Sequence, residues 1–402
     1  MVEVDGVSFL VIVGVAFVAA VVSSLLAGRL PLPVVVLELL LGIIVGPDVL
    51  DLAQPDDFIE FFSSLGLGLL FFFAGYEIDL DRIRGIPLRL AVLGWLISLA
   101  LAYAIGGILA ASGVIISLLF VGTAMSTTAI GTLIPILNDA GEMKTRFGTY
   151  LLAAGAVGEF GPILLITLLF SGENPSTAAL FLTAFVVAAV VVSVFATRGV
   201  VRGWGALERT LETSGQIAVR GSVFVVFALA ALASELGLDL LLGGFVAGII
   251  VRLALKGREV PIFESKLTAV GYGFLIPFFF VTSGLKFDLD SLLSDPVNLL
   301  KVLMFLGLFL VIRGAPAMLL YVKELDLRDR AALAFFSATQ LPLVVAITTI
   351  ATEEHSMRAS TAASLVGAAI VSTMVFPLVG LHLRGDRASA MAAEPGWEAE
   401  PA

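Results

Sequence analysis

From Val7 to Ala27 the chain runs 21 residues without a charge, and comparable apolar runs recur almost to its end. A helix needs about 20 apolar residues to cross a bilayer. Lipid offers backbone N–H and C=O groups no hydrogen-bond partner, so a run of this kind must satisfy them internally, as a helix does. Thirteen candidate spans follow, starting near Val7, Pro33, Phe58, Ile86, Val114, Phe147, Thr177, Gly215, Leu238, Leu267, Val297, Ala331 and Ser360. The basic residues test that count, because Lys and Arg concentrate in cytoplasmic connectors. With the N-terminus outside, 19 of 23 fall on the inner side, Lys286, Lys301 and Arg358 fall outside, and Arg313 lies within a span. The sequence thus predicts an all-α polytopic protein of the cell membrane with its C-terminus in the cytoplasm.

Composition excludes several kinds of chemistry. Charged residues make up 14% of the chain, against about 25% in a soluble domain. There is no cysteine, and His355 and His382 are the only histidines. Disulfides, thiol catalysis and histidine metal clusters therefore lack their parts, and neither an enzyme nor a resident cofactor is expected. The net charge of −10 comes mostly from outer loops and the end of the chain, Glu394, Glu398 and Glu400 included. It points to no nucleic-acid partner; membrane lipids are the expected surround. The first run follows Met-Val-Glu-Val-Asp-Gly with no basic region, the pattern of a retained helix rather than a cleaved signal. Residues 385–402, rich in Ala, Glu and Pro, are expected to form a disordered cytoplasmic tail, with no attached regulatory nucleotide-binding domain.

Two pairs of segments match across the chain. Gly42-Ile-Ile-Val-Gly46 resembles Gly244-Phe-Val-Ala-Gly248, and Phe71-Phe-Phe-Ala-Gly75 resembles Phe278-Phe-Phe-Val-Thr-Ser-Gly284. Both separations equal seven spans. Seven is odd, so the second copy enters the membrane from the opposite side. The reading is two six-helix inverted repeats, residues 1–172 and 214–384, joined by a linker span at 173–213. Inverted repeats are typical of secondary transporters, whose sites lie near the midplane.

Spans five and twelve hold corresponding positions, and both interrupt an apolar run with polar residues. Span five contains Ser126, Thr127, Thr128, Gly131 and Pro135; span twelve contains Ser337, Thr339, Gln340 and Pro342. This is the signature of a discontinuous helix. Its freed carbonyls and hydroxyls suit a small hard cation, and its helix N-termini carry partial positive charge.

Two charges stand alone at depth. Glu159 is the only charged residue among the 26 between Arg146 and Glu173, and Arg313 is the only one from Val302 to Val322. Burying such a group costs roughly 2.5–3.5 kcal/mol on insertion scales, which makes an intramembrane ionisable residue a functional candidate. Glu159 is the candidate proton and metal-cation site, for Na⁺ or K⁺, and Arg313 its candidate charge partner. Desolvation favours the protonated acid, while a neighbouring guanidinium favours the ion. Proton, cation and guanidinium exclude one another at one carboxylate. Since Arg stays charged, a single titrating acid implies one proton exchanged per monovalent cation, without net charge movement. Glu38, deep between Arg29 and Asp48, is a secondary candidate.

At this point the residues resemble a known family. Gly28 to Pro47 with Glu38, the segment Gly68 to Asp79, the Ser126-Thr-Thr-Ala-Ile segment and Phe278 to Leu285 together are similar to the monovalent cation:proton antiporters of the second superfamily, over nearly the whole chain. The resemblance implies a core domain with two crossed discontinuous helices, a separate dimerisation domain and hence a homodimer, an elevator-like motion, and an ion-binding role for Glu159 with Arg313 as the basic residue. The chain departs from the family at the site itself. A polar residue or Asp commonly precedes the family's ion-binding Asp, and here the pair reads Gly158-Glu159. A sodium-coupled symporter of an organic anion and a non-transporting membrane sensor are the competing readings.

Overall fold

The computed structural model describes residues 5–26, 33–169, 175–211, 213–236, 238, 240–255 and 261–385. The expected tail from residue 386 onward and the connector residues Arg29, Lys256 and Arg258 lie outside them. Among the described residues every regular element is helical. In chain order the helices are α1 (Gly6–Leu26), α2 (Val34–Val45), α3 (Asp57–Tyr76), α4 (Leu80–Ile83), α5 (Ile86–Ala111), α6 (Leu118–Met125), α7 (Ile130–Asp139), α8 (Arg146–Leu169) and α9 (Pro175–Leu211), then α10 (Ile217–Glu235), α11 (Leu240–Ala254), α12 (Pro261–Val270), α13 (Ile276–Leu285), α14 (Leu289–Leu293), α15 (Pro296–Leu320), α16 (Leu327–Ser337), α17 (Pro342–Glu353) and α18 (Ala359–Arg384). Among the described residues ten helical stretches are long and apolar enough to cross a membrane, and three shorter apolar ones accompany them, Val34–Val45, Leu118–Ile134 and Leu240–Ala254. The protein is a multi-pass membrane protein.

Helix starts are written in the sequence. Asp56, Asp295 and Asp326 each accept a hydrogen bond from a first-turn amide, at 2.7–2.8 Å, and Pro296 follows Asp295 at the first helical position. These are standard N-terminal solutions for amides without an intrahelical partner. One boundary differs from expectation. The tenth span was placed from Leu267, after the charge of Lys266, yet the helix begins at Pro261 and passes through a π-helical turn, Gly271–Leu275, before α13. Lys266 donates its ammonium to the Leu211 carbonyl at the end of α9, so its charge does not break the helix.

The chain forms two compact units. Unit 1 comprises residues 1–79 and 163–290, and unit 2 comprises residues 80–162 and 291–402. Each takes helices from both halves of the sequence, so the compact units cut across the proposed repeats.

Unit 1 is held by backbone contact between glycine-bearing helices. α3 packs on α11, and α2 on α13. A Cβ added to Gly42 would strike the Val281 carbonyl, and one on Gly284 the Leu39 carbonyl. One on Gly248 would strike the Phe72 carbonyl, and one on Gly75 the Phe245 carbonyl. The two crossings follow one pattern. Gly248 is 206 residues after Gly42, as Phe245 is after Leu39, and Gly284 is 209 after Gly75, as Val281 is after Phe72. The packing therefore relates Gly42 to Gly248, one helical turn from the sequence match of Gly42 with Gly244. Small residues permit this approach, and close packing replaces the hydrophobic drive that helices lack in lipid. The outer faces of α1 and α9 stay apolar and exposed, as at Leu10, Phe17, Val187 and Val190, a surface suited to acyl chains.

Unit 2 is built from α5, α15, α16 and α18 with α6, α7, α17 and the first part of α8. Its chain leaves the helical path twice, between α6 and α7 and between α16 and α17.

Candidate functional site

The first interruption begins where hydroxyls turn back on their own helix. Ser126 Oγ donates to the Thr123 carbonyl at 2.9 Å, and Thr127 Oγ1 donates to the Ala124 carbonyl at 3.0 Å. Such local bonds compete with helix continuation and close the end of α6. The next two amides leave the helix. Thr128 N donates to the Gly158 carbonyl at 3.0 Å, and Ala129 N donates to the Thr339 carbonyl at 2.9 Å. α7 then starts at Ile130.

The second interruption is fixed by proline and glutamine. Pro342 occupies the start of α17, and Leu341 before it adopts φ −155°, ψ −64°, outside the helical region that a residue preceding proline avoids. Gln340 is held on three sides. Its backbone N–H donates to Ser372 Oγ at 3.0 Å, its carbonyl accepts from Ser372 Oγ and Thr373 Oγ1 at 3.1 Å each, and its Nε2 donates to the Met125 carbonyl at 3.2 Å. The two interruptions satisfy each other's backbone: Met125 and Ala129 of one bond to Gln340 and Thr339 of the other. Unwound backbone in a membrane protein survives only with such internal partners.

Thr128 is the hub that joins this pair of breaks to Arg313. Its Oγ1 donates to the Ser337 carbonyl at 2.5 Å and accepts from Arg313 Nε and Nη2 at 2.9 and 2.7 Å. Arg313, 4% exposed, also donates to Ser98 Oγ at 3.2 Å and to the Ala154 carbonyl at 3.2 Å. Polar partners on α5, α8 and the two breaks thus surround one guanidinium, as a buried charge requires.

Gly158 is the seat of that guanidinium. A Cβ at this position would collide with Arg313 Nη2 and lie 2.8 Å from Thr128 Oγ1. The missing side chain at Gly158 leaves room for the arginine, and the Gly158 carbonyl accepts from the Thr128 amide. Glu159, the next residue of α8, is 3% exposed. The structure therefore brings Ser126, Thr127, Thr128, Thr339, Gln340, Arg313 and Glu159 into one unit. Glu38, also 3% exposed, belongs to unit 1.

Several participants carried no sequence signal strong enough to find them. Ser98, Ser372 and Thr373 are hydroxyls on apolar helices, and Ala154 acts through its carbonyl; Ser337 and Gly158 stand out in the sequence, but not as an acceptor and as a seat for an arginine. A second buried charge cluster was counted in the sequence only as connector residues. Arg384, 1% exposed, grips Glu142 with Nε and Nη2 at 2.8 Å each and Asp329 with Nη1 at 2.7 Å. Its guanidinium carbon lies 4.5 Å from the Phe147 ring centroid. The cluster ties the end of α18 to the start of α16 and to the turn between α7 and α8. Nearby in sequence, Glu324 accepts from Tyr150 Oη and Arg146 Nη2, at 2.5 Å each. The Tyr150 hydroxyl, aided by Arg146, holds the Glu324 carboxyl below its ordinary range.

Known proteins are similar to this chain over most of its length. The family described as sodium/hydrogen exchanger, transmembrane, matches residues 14–381. The putative Na⁺/H⁺ antiporter YjbQ of Bacillus subtilis is 28% identical over 391 residues, covering 92% of this chain. The chain spans 62% of the length of that relative. The Na⁺/H⁺-K⁺ antiporter GerN of Bacillus cereus is 28% identical over 291 residues, which is 67% of this chain and 70% of GerN. The solved structure of the sodium proton antiporter MjNhaP1 from Methanocaldococcus jannaschii at pH 8 superposes with a TM-score of 0.61 at 19% identity, over 96% of this chain and 97% of that one. At that identity the likeness concerns the fold.

Proposed function

The chain belongs to the sodium/hydrogen exchanger family, and on that premise we propose that it exchanges protons for Na⁺ or K⁺ across the membrane, with Glu159 as the carboxylate for which the two compete. The observation that carries this reading is the Thr128–Arg313–Gly158 knot. It gathers two helix interruptions and a fixed guanidinium against the turn of α8 that bears the lone acid. No three His, Cys, Asp or Glu side chains gather as a metal centre among the described residues. A cation here is held by one carboxylate with hydroxyl and carbonyl oxygens, the weak oxygen donor set suited to a transported monovalent ion. Arg313 acts as a fixed positive charge near Glu159 that substitutes for the absent ion.

The finer points belong to the same reading: thirteen crossings with the N-terminus outside, two inverted repeats, and alternating access by an elevator-like motion in a homodimer. Unit 2, which holds both interruptions, takes the role of the core domain, and unit 1 that of the dimerisation domain. The reciprocal glycine crossings of unit 1 support the repeats. One titrating acid beside a permanently charged arginine makes the exchange electroneutral. The test is reconstitution in vesicles with an internal pH dye and an imposed pH gradient, adding Na⁺, K⁺ and Li⁺ in turn. Cation-dependent proton flux with no accompanying current is expected. A steady current that scales with membrane potential contradicts electroneutrality, and flux indifferent to every cation contradicts the exchange.

A further inference from the structure

Arg313 has a second neighbour besides the knot. Against it, within unit 2, lies a cavity of about 10 Å³ lined by Gly94 and Trp95 of α5, Arg313, Ala317 and Tyr321 along α15, and Ser337 of α16, among others. A cavity of that size has room for about one water molecule, given two or more polar partners. The lining residues bring donors and acceptors: Arg313 and Trp95 carry N–H groups, and Ala154, Ser337 and Tyr321 carry oxygens. Arg313 has five N–H groups. One on Nε, one on Nη1 and both on Nη2 are used by Thr128, Ser98 and the Ala154 carbonyl, which leaves one Nη1 hydrogen without an acceptor among the described residues. Trp95 Nε1 is buried and has no hydrogen-bond partner. The lining contains no carboxylate.

Two unpartnered donors on residues of the lining suit a small hydrogen-bond acceptor, and the Tyr321 hydroxyl can take a hydrogen in return. We propose that this cavity is a hydration site that takes one water molecule, accepting from Arg313 and Trp95, and that it hydrates the buried guanidinium beside the Thr128 knot. The water completes the hydrogen bonding of a buried charge. The site rests on the geometry around Arg313 rather than on transport.

Two features make the site testable. The chain has three tryptophans, Trp95, Trp204 and Trp397, so the double substitution Trp204→Phe and Trp397→Phe leaves Trp95 as the sole reporter. Gly94 offers a gentle way to fill the space, since an added Cβ meets Leu320 Cδ1 and Pro316 Cβ at 3.6 Å, ordinary contact distances. The experiment compares Trp95 emission in H₂O and D₂O for the single-tryptophan protein, with and without Gly94→Ala, and with Ala317→Leu as a second filling variant. A water on the indole N–H gives brighter emission in D₂O, and filling the cavity removes most of that difference and shifts emission to the blue. Retained thermal melts certify that the variants are folded. No isotope effect in the parent, or an effect unchanged by both fillings, overturns the proposal. Emission that responds to chloride rather than to D₂O also overturns it and assigns the cavity to an anion. None of these readouts requires transport, so they stand apart from the test of exchange.

Discussion

Unit 1 and unit 2 use glycine for opposite purposes. In unit 1, Gly42, Gly75, Gly248 and Gly284 let helix backbones touch, and each meets a carbonyl of the facing helix. In unit 2, Gly158 meets the end of an arginine side chain and a threonine hydroxyl. The first arrangement makes continuous helices inseparable. The second opens a polar space beside a lone acid. Unit 1 is thereby sensitive to size, while unit 2 is sensitive to hydrogen bonding and charge. A scaffold and a site within one apolar chain differ in that respect more than in hydrophobicity.

Substitutions can break this comparison, and the largest effect is expected in unit 2, at its charge cluster. Arg384→Ala leaves Glu142 buried without its bidentate partner, and breaking such a pair costs about 3–5 kcal/mol. A thermal melt in detergent should fall accordingly; a melt within a degree or two of the parent would show that the cluster is not structural. Next is Gly248→Ala in unit 1, whose Cβ has only the Phe72 carbonyl and the Tyr76 amide to displace. Overpacking of this kind costs roughly 1–3 kcal/mol, with exchange per folded molecule unchanged. Gly158→Ala should reverse that balance. Its Cβ meets the end of Arg313 and the side chain of Thr128 rather than backbone, so stability falls by about 1 kcal/mol, the low end for overpacking, while apparent cation affinity and exchange rate change several-fold because Arg313 and Thr128 must move. Equal ratios of stability loss to activity loss at Gly158 and Gly248 would erase the distinction between the units.

The smallest effect is a pH dependence at Glu324. Its folded carboxyl is held below the ordinary value of 4.5 by Tyr150 and then Arg146. A depressed carboxyl contributes stability that is fully present above that ordinary value and is lost as pH falls through the lower folded value. Because Arg146 is 42% exposed, screening limits the contribution to about 1 kcal/mol at most. Glu324→Gln should flatten the acid side of the melting profile and leave the neutral side lower by that amount. A parallel shift at every pH would assign the loss to packing.

How much of this was legible follows from where each signal sits. The helices were, because lipid leaves an apolar run few alternatives. The lone charges Glu159 and Arg313 stood out against their surroundings, and the hydroxyls, Gln340 and Pro342 marked where the helices stop. Contacts that act through absence or through backbone were not legible: nothing in Gly158 announces an arginine, and nothing in Ala154 announces an acceptor. Arg384 counted only as a basic residue of the inner connectors, and nothing near it in sequence signals burial. Its burial is made by Glu142, 242 residues away in the chain. The glycine crossings of unit 1 were not legible either: the sequence pairs Gly42 with Gly244, whereas the packing places Gly42 and Gly248 in like positions against a facing carbonyl.

The central claim is that proton and cation compete for Glu159. It is tested most directly by reconstituting the protein and Glu159→Gln side by side in vesicles, with a pH gradient and a pH dye, and adding Na⁺ or K⁺. Glutamine keeps the size and much of the hydrogen bonding but binds neither a proton nor a cation as a carboxylate does. Cation-dependent proton flux in the parent and none in Glu159→Gln, with both proteins folded to the same melting temperature within a few degrees, is the predicted result. Undiminished flux in Glu159→Gln would contradict it and move the site elsewhere.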